Sequence, residues 1–191
     1  MKRILIVALF FSSFSAYATA PSLEGHWQQY CNASSKKEEF FTGNKVSMHE
    51  NYFADQNCEK LEAVIENSGS FEIDDEFLVP DQSIRNIDFT YEVVRITLHS
   101  DRFVLFYSER EMCGIKDWKK GETRDITGLR CEFFQVGRPV QVPMQGDMRY
   151  GIYKIEGTRL YFGRLMPGYD GSSPMRRPYL LDPRYFVKLI E

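Results

Sequence analysis

The sequence lacks any apolar run of the roughly 20 residues that a membrane-spanning helix needs, because its longest apolar stretch, residues 4–14, is much shorter. It also lacks an excess of basic residues, since 27 acidic residues face 24 basic ones and the net charge is −3. This balance argues against a nucleic acid or an anionic membrane as the partner. No internal repeat is present, which excludes propellers and solenoids.

Recognisable catalytic and metal-binding patterns are missing as well. No Gly-x-Ser-x-Gly sequence marks a nucleophilic serine, and no two cysteines have Cys-x-x-Cys spacing. His26 and His99 have no adjacent catalytic partner, and His49 and Glu50 are neighbours that a strand would direct to opposite faces. We therefore predict no catalytic residue, no metal site and no cofactor.

The N-terminal residues have the pattern of a cleaved signal peptide. The basic pair Lys2-Arg3 precedes the apolar run of residues 4–14, and Ala16-Tyr17-Ala18 has the small-x-small pattern of a cleavage site. We predict a signal peptide over residues 1–18 and one domain over residues 19–191. Such a protein is expected in a Gram-negative periplasm or outside the cell, without a membrane span and as a monomer.

Four cysteines are present, and an even number in an exported chain indicates disulfide bonds. Three connectivities are possible. We favour Cys31–Cys58 and Cys113–Cys131 because each pair closes a local loop, whereas the other connectivities tie the two halves of the chain together. Loops of this size are worth roughly 3 to 4 kcal/mol each in the chain-entropy model.

Aromatic and β-branched residues alternate with polar ones along most of the chain, which predicts strands rather than helices. One predicted hairpin pairs residues 89–98 with 102–108, and a second pairs 149–155 with 159–165. Residues 184–190 form the predicted closing strand. We predict an all-β fold in which an antiparallel meander of about 8 to 10 strands closes into a barrel, because closure removes the unpaired edges of an open sheet.

Residues 59–66 are open to two interpretations. Leu61, Ala63 and Ile65 alternate with more polar residues, which favours a strand, but the segment is also rich in helix-forming residues. We predict a strand there, then a turn at Asn67-Ser68-Gly69, and a further strand over residues 71–79.

The sequence Gly25-His26-Trp27 resembles the Gly-x-Trp motif that opens the first strand of lipocalins. In that family the tryptophan plugs one end of the barrel and a basic residue of the last strand packs across it, a position that Lys188 or Arg184 would fill here. The resemblance implies an eight-stranded or larger barrel that holds a small apolar ligand. Trp27 is otherwise simply a core aromatic residue near a disulfide, and both interpretations bury it.

Two long loops, residues 114–130 and 166–183, offer an alternative function, because long loops often carry binding sites. The candidate recognition residues are Trp118, Lys119, Arg176 and Arg177. If they are exposed together at one end of the barrel, the protein is a recognition module for an envelope protein. Otherwise Trp118 forms a small core within its own loop, and the arginines pair with nearby acids.

Overall fold

The structure of the protein is a computed structural model. It describes residues 22–74, 81, 83–133 and 139–190. The predicted signal peptide lies outside the described residues, and so does the predicted strand beyond residue 74. Within these ranges no helix combines the length and the apolar character needed to cross a membrane.

The described residues form eleven strands and one α-helix. The elements are β1 (Gly25–Gln28), β2 (Ser35–Thr42), β3 (Lys45–Phe53), β4 (Leu61–Asp74), β5 (Arg85–Leu98), α1 (Asp101–Glu109), β6 (Thr123–Asp125), β7 (Arg130–Cys131), β8 (Val140–Gln141), β9 (Met148–Glu156), β10 (Arg159–Gly163) and β11 (Leu181–Lys188). Short 3₁₀ turns occur at Met112–Gly114 and Pro174–Arg176.

Eight of the strands close into an antiparallel barrel. Their order is β1, β2, β3, β4, β5, β9, β10 and β11, and β11 pairs with β1 through Trp27 and Lys188 to complete the circle. β6 lies along the last residues of β5, while β7 and β8 form a separate pair. The predicted barrel is confirmed, as is the hairpin around Glu156-Gly157-Thr158, which joins β9 to β10.

The predicted turn at Asn67-Ser68-Gly69 is wrong, because β4 continues as a strand through these residues to Asp74. The pairing of β4 with β5 shifts by one residue between Ser68 and Gly69, which is a β-bulge. A Cβ atom at Gly69 would lie 1.9 Å from the carbonyl oxygen of Thr90. Glycine therefore marks a close approach of two strands here rather than a reversal of the chain. The helix interpretation of residues 59–66 is also wrong.

The predicted strand over residues 102–108 is wrong, because Asp101–Glu109 is the helix α1. Ser100 caps it, and its hydroxyl oxygen accepts a hydrogen bond of 3.2 Å from the backbone N–H of Phe103. Phe103 and Tyr107 lie one turn apart and their rings stack at 5.9 Å. A short run that is apolar on both faces is compatible with a helix as well as a covered strand.

The two ends of the barrel differ. At one end, which we call the closed end, β1 begins at Gly25 and tight turns join β2 to β3 and β9 to β10. At the other, the loop end, β5 and β10 finish, and both long loops and α1 follow from them. Both disulfides also lie in connections at the loop end. Their pairing, Cys31–Cys58 and Cys113–Cys131, is the predicted one and is confirmed.

Candidate functional site

The inner face of the barrel changes character along its axis. Alternate residues of a strand share a face, so β2 directs Phe41, Glu39 and Lys37 inward in that order from the closed end to the loop end. Their partners on β3 are Val46, Met48 and Glu50. An apolar level near the closed end is therefore followed by a buried acid and then by a cation.

A cavity of about 360 Å³ occupies the barrel interior and opens at the loop end; we call it the lumen pocket. Its buried part is lined by the apolar side chains Met48, Phe89, Phe162 and Phe186. The rings of Phe89 and Phe162 lie 6.1 Å apart, and those of Phe162 and Phe186 lie 5.6 Å apart, both edge to face. Its volume is within the range of small-molecule sites, roughly 300 to 1,000 Å³.

The rim of the lumen pocket is rich in cations. Its charged side chains are Lys37, Arg149, Arg164, Arg184 and Asp182. Arg184 forms a two-point pair with Asp182 at 3.0 and 2.7 Å, and Lys37 lies 3.5 Å from Glu50. The side chain of Arg149 is exposed and makes no ion pair or hydrogen bond with any other described residue. The rim therefore has a guanidinium available to an anionic group.

Glu39 is the least expected residue of the pocket. Its side chain lines the cavity, the residue is only 7% exposed, and Oε2 has no hydrogen-bond partner among the described residues. Burial raises the pKa of Glu39 to about 8, although the positive charge of Lys37 opposes the shift. At neutral pH the carboxyl group is therefore protonated, and it has an O–H to donate.

At the closed end, Trp27 is 1% exposed and Lys188 lies across it, with Nζ 5.2 Å from the ring centroid. The indole N–H donates to the carbonyl oxygen of Leu23 at 2.6 Å. Gly25 has a φ of +111°, and a Cβ atom there would meet the Lys188 side chain at 3.2 Å. Gly25 therefore leaves room for the Lys188 side chain, which packs across the buried ring of Trp27.

The candidate recognition residues do not form one exposed surface. Both long loops lie at the loop end, but Trp118 is 3% exposed and packs edge to face on Tyr107 at 5.3 Å. Of the two alternatives for Trp118, exposure at a recognition surface is wrong and burial is correct, because α1 and the disulfide at Cys113 supply an apolar core into which the ring folds. Lys119 is exposed and lies 3.8 Å from Glu122.

The adjacent arginines of the second loop have different environments. Arg176 is about half exposed and pairs with Asp170 at 2.9 Å. The side chain of Arg177 is only 8% exposed and binds both carboxylate oxygens of Asp88, as well as the carbonyl oxygen of Gly151 at 2.7 Å. The two arginines therefore pair with nearby acids, and Arg177 holds the loop against the barrel wall.

A second cavity, of about 470 Å³, lies between α1 and the ends of β3 and β4. Aromatic side chains line it, including Tyr52, Phe53 and Phe106, and the pair of Glu62 with Arg102 lies at its edge. Glu62 is buried and bound by Arg102. Unlike Glu39, Glu62 therefore has a cation and hydrogen-bond donors for its carboxylate.

Sequence reasoning missed Glu39 and Arg149. The signal for Glu39 was its spacing of two residues from Phe41, because a strand that buries Phe41 in a closed barrel also directs Glu39 inward. Arg149 gave no such signal, since its place at the rim depends on the pairing of β9 with β5.

A scan of the chain against models of known protein families finds no match, and a search of curated proteins finds no relative. The described residues contain no group of three or more His, Cys, Asp or Glu side chains that could hold a metal ion. The candidate site is therefore defined by the geometry of the lumen pocket.

Proposed function

We propose that this protein is an exported, lipocalin-like binding protein that holds a small amphiphilic ligand in the lumen pocket. The ligand has an apolar body that packs on Phe89, Phe162 and Phe186, and an anionic group that binds Arg149 at the rim. The function is binding rather than catalysis, and two disulfides favour a site of action outside the cytoplasm.

The observation that carries the proposal is the division of one cavity into a buried aromatic part and a cationic rim. Burial of apolar ligand surface against the three phenylalanine rings supplies most of the affinity, at roughly 25 cal/mol per Å². A carboxylate, sulfonate or phosphate at the rim gains a charge-assisted hydrogen bond from the guanidinium of Arg149, which forms no ion pair or hydrogen bond with the described residues. A purely apolar ligand, as the lipocalin resemblance implies, would leave this guanidinium unused.

The proposal is tested by fluorescence titration with 8-anilinonaphthalene-1-sulfonate, a probe that has aromatic rings and one anionic group. We expect the wild-type protein to bind the probe with one site per chain. Charge reversal in Arg149→Glu is expected to weaken binding about tenfold, because it removes a charge-assisted hydrogen bond worth roughly 1.5 kcal/mol.

The matched control is Arg130→Glu, which changes the net charge equally but lies on β7, away from the lumen pocket. Its affinity for the probe is expected to equal that of the wild type. If Arg149→Glu and Arg130→Glu lose the same affinity for the probe, the loss comes from the change in net charge, and binding of the anionic group at the rim is contradicted. Absence of probe binding to the wild type would contradict the proposal as a whole.

A further inference from the structure

The buried end of the lumen pocket contains a feature that an apolar ligand body does not explain. Glu39 lies beside Met48 on β3 and Trp27 on β1 in the strand register, so its carboxyl group stands at an otherwise apolar level of the barrel. A buried polar group without a hydrogen bond costs roughly 1 to 3 kcal/mol. Oε2 is buried and lacks a partner within the described chain, and Glu39 is one of the residues that line the cavity. A ligand atom that reaches Oε2 and pairs with it recovers part of this cost.

The charge state of Glu39 follows from its surroundings. The charged and titratable side chains that line the same cavity are Lys37 on β2, Tyr91 on β5, Arg149 on β9, Arg164 after β10, and Asp182 and Arg184 on β11. Asp182 pairs with Arg184, and Lys37 lies beside Glu50 on β3. No cation forms an ion pair with Glu39 among the described residues. A carboxyl group in such a site is more stable protonated than ionised.

We propose that Glu39 is a neutral hydrogen-bond donor for the buried end of the ligand. The ligand class is then an amphiphile with an anionic group at one end and an uncharged oxygen acceptor, such as a hydroxyl or carbonyl, at the other. This inference rests on the proposed function and specifies it further. The anionic end meets Arg149 at the rim, and the neutral oxygen meets Glu39 inside the barrel.

A matched series of ten-carbon probes tests the assignment: decanoate, 10-hydroxydecanoate and 10-aminodecanoate, each measured by displacement of 8-anilinonaphthalene-1-sulfonate at pH 6.5. All three have a carboxylate for the rim and differ only at the far end. We expect 10-hydroxydecanoate to bind about tenfold more tightly than decanoate, which is the value of one recovered buried hydrogen bond. 10-Aminodecanoate is expected to bind most weakly, because its ammonium group would be buried beside a neutral acid.

Two substitutions separate the donor role from packing. Glu39→Gln keeps a donor of the same shape, so the preference for 10-hydroxydecanoate is expected to persist. Glu39→Leu removes the donor and is expected to reverse the preference in favour of decanoate. These results would distinguish a hydrogen bond from a change in cavity volume.

The pH dependence gives an independent readout. The probe for this readout is 9-oxodecanoate, a ten-carbon carboxylate whose ketone oxygen accepts a hydrogen bond but cannot donate one to an ionised carboxylate. Because the pKa of Glu39 is about 8, the donor form is about one tenth populated at pH 9, and the dissociation constant of 9-oxodecanoate is expected to rise about tenfold between pH 6.5 and pH 9. In Glu39→Gln, which does not titrate, the rise is expected to disappear.

Failure of this inference is distinguishable from failure of the proposed function. If decanoate and 10-hydroxydecanoate bind equally and both depend on Arg149, the pocket binds amphiphiles but Glu39 does not recognise them, and the inference is overturned. A preference for 10-aminodecanoate would also overturn it, since Glu39 would then act as an anion. If no member of the series displaces the probe, the proposed function fails first.

Discussion

The long loop after β10 contains two adjacent arginines, Arg176 and Arg177. Replacing each in turn tests which of them fixes the loop to the barrel. Arg177 donates from Nη2 to Oδ2 of Asp88 at 3.1 Å and from Nη1 to the carbonyl oxygen of Gly151 at 2.7 Å, with its side chain 8% exposed. Arg177→Met keeps the aliphatic stem but leaves Asp88 without its cation. Removing one partner of a buried pair costs roughly 3 to 5 kcal/mol. Because Asp88 keeps 19% of its side-chain exposure, we expect the lower limit, about 3 kcal/mol.

The matched control is Arg176→Met, in which the lost partner is exposed Asp170 and the expected cost is about 0 to 1 kcal/mol. Urea unfolding followed by tryptophan fluorescence measures the free energy of unfolding of both variants, because Trp27 and Trp118 are buried and become exposed when the chain unfolds. In thermal unfolding, 3 kcal/mol corresponds to a decrease in Tm of roughly 6 to 12 °C for a chain of this size. Equal stabilities of the two variants would refute the conclusion that Arg177 fixes the loop to the barrel wall.

Three further predictions concern stability. Ser100→Ala removes the N-cap of α1 and is expected to lower the free energy of unfolding by about 1 kcal/mol and to reduce the helical circular dichroism signal. Ser100→Asp keeps a capping side chain, so the free energy of unfolding and the helical signal are expected to equal those of the wild type. The folded pKa of Glu39, about 8, is raised above its ordinary value of 4.5, so its stabilising contribution is full below pH 4.5 and is lost as the pH rises through 8. Glu39→Gln is therefore expected to exceed the wild type in stability at pH 9 by an amount on the order of 4 kcal/mol, and an unchanged difference between pH 5 and pH 9 would contradict the raised pKa. Replacing Cys113 and Cys131 by serine opens a loop with a sequence separation of 18 and is expected to cost roughly 3 kcal/mol in urea unfolding; no loss of stability would mean that this bridge does not hold the α1 side of the barrel.

The parts of the fold that follow from local pattern could be predicted from the sequence. Alternation of apolar and polar residues indicated the strands, and loop length favoured the correct disulfide partners, Cys31–Cys58 and Cys113–Cys131. The two errors at Gly69 and α1 have a shared cause. A glycine serves a β-bulge as well as a turn, and an apolar run of five residues suits a helix as well as a strand, so tertiary contacts decide both.

The candidate site was harder to predict, because it depends on long-range register. Trp118 and Arg177 have the composition of a recognition surface, yet the cluster around Tyr107 buries the first and Asp88 binds the second. In the sequence, Glu39 has the pattern of an ordinary solvent-exposed strand residue. Its burial follows from the pairing of β2 with β1 and β3. Its spacing of two residues from Phe41 shows which face of the strand it shares, but only the closed barrel shows that this face lines a cavity.

The most direct test of ligand binding in the lumen pocket is a methyl NMR spectrum of methionine-labelled protein titrated with 8-anilinonaphthalene-1-sulfonate. Met48 lines the buried part of the pocket, Met112 is buried in the core beside α1, and Met175 is 92% exposed. We expect the methyl signal of Met48 to shift and saturate, while those of Met112 and Met175 keep their positions. A saturating shift of Met112 with Met48 unchanged would place the probe beneath α1 and contradict the account.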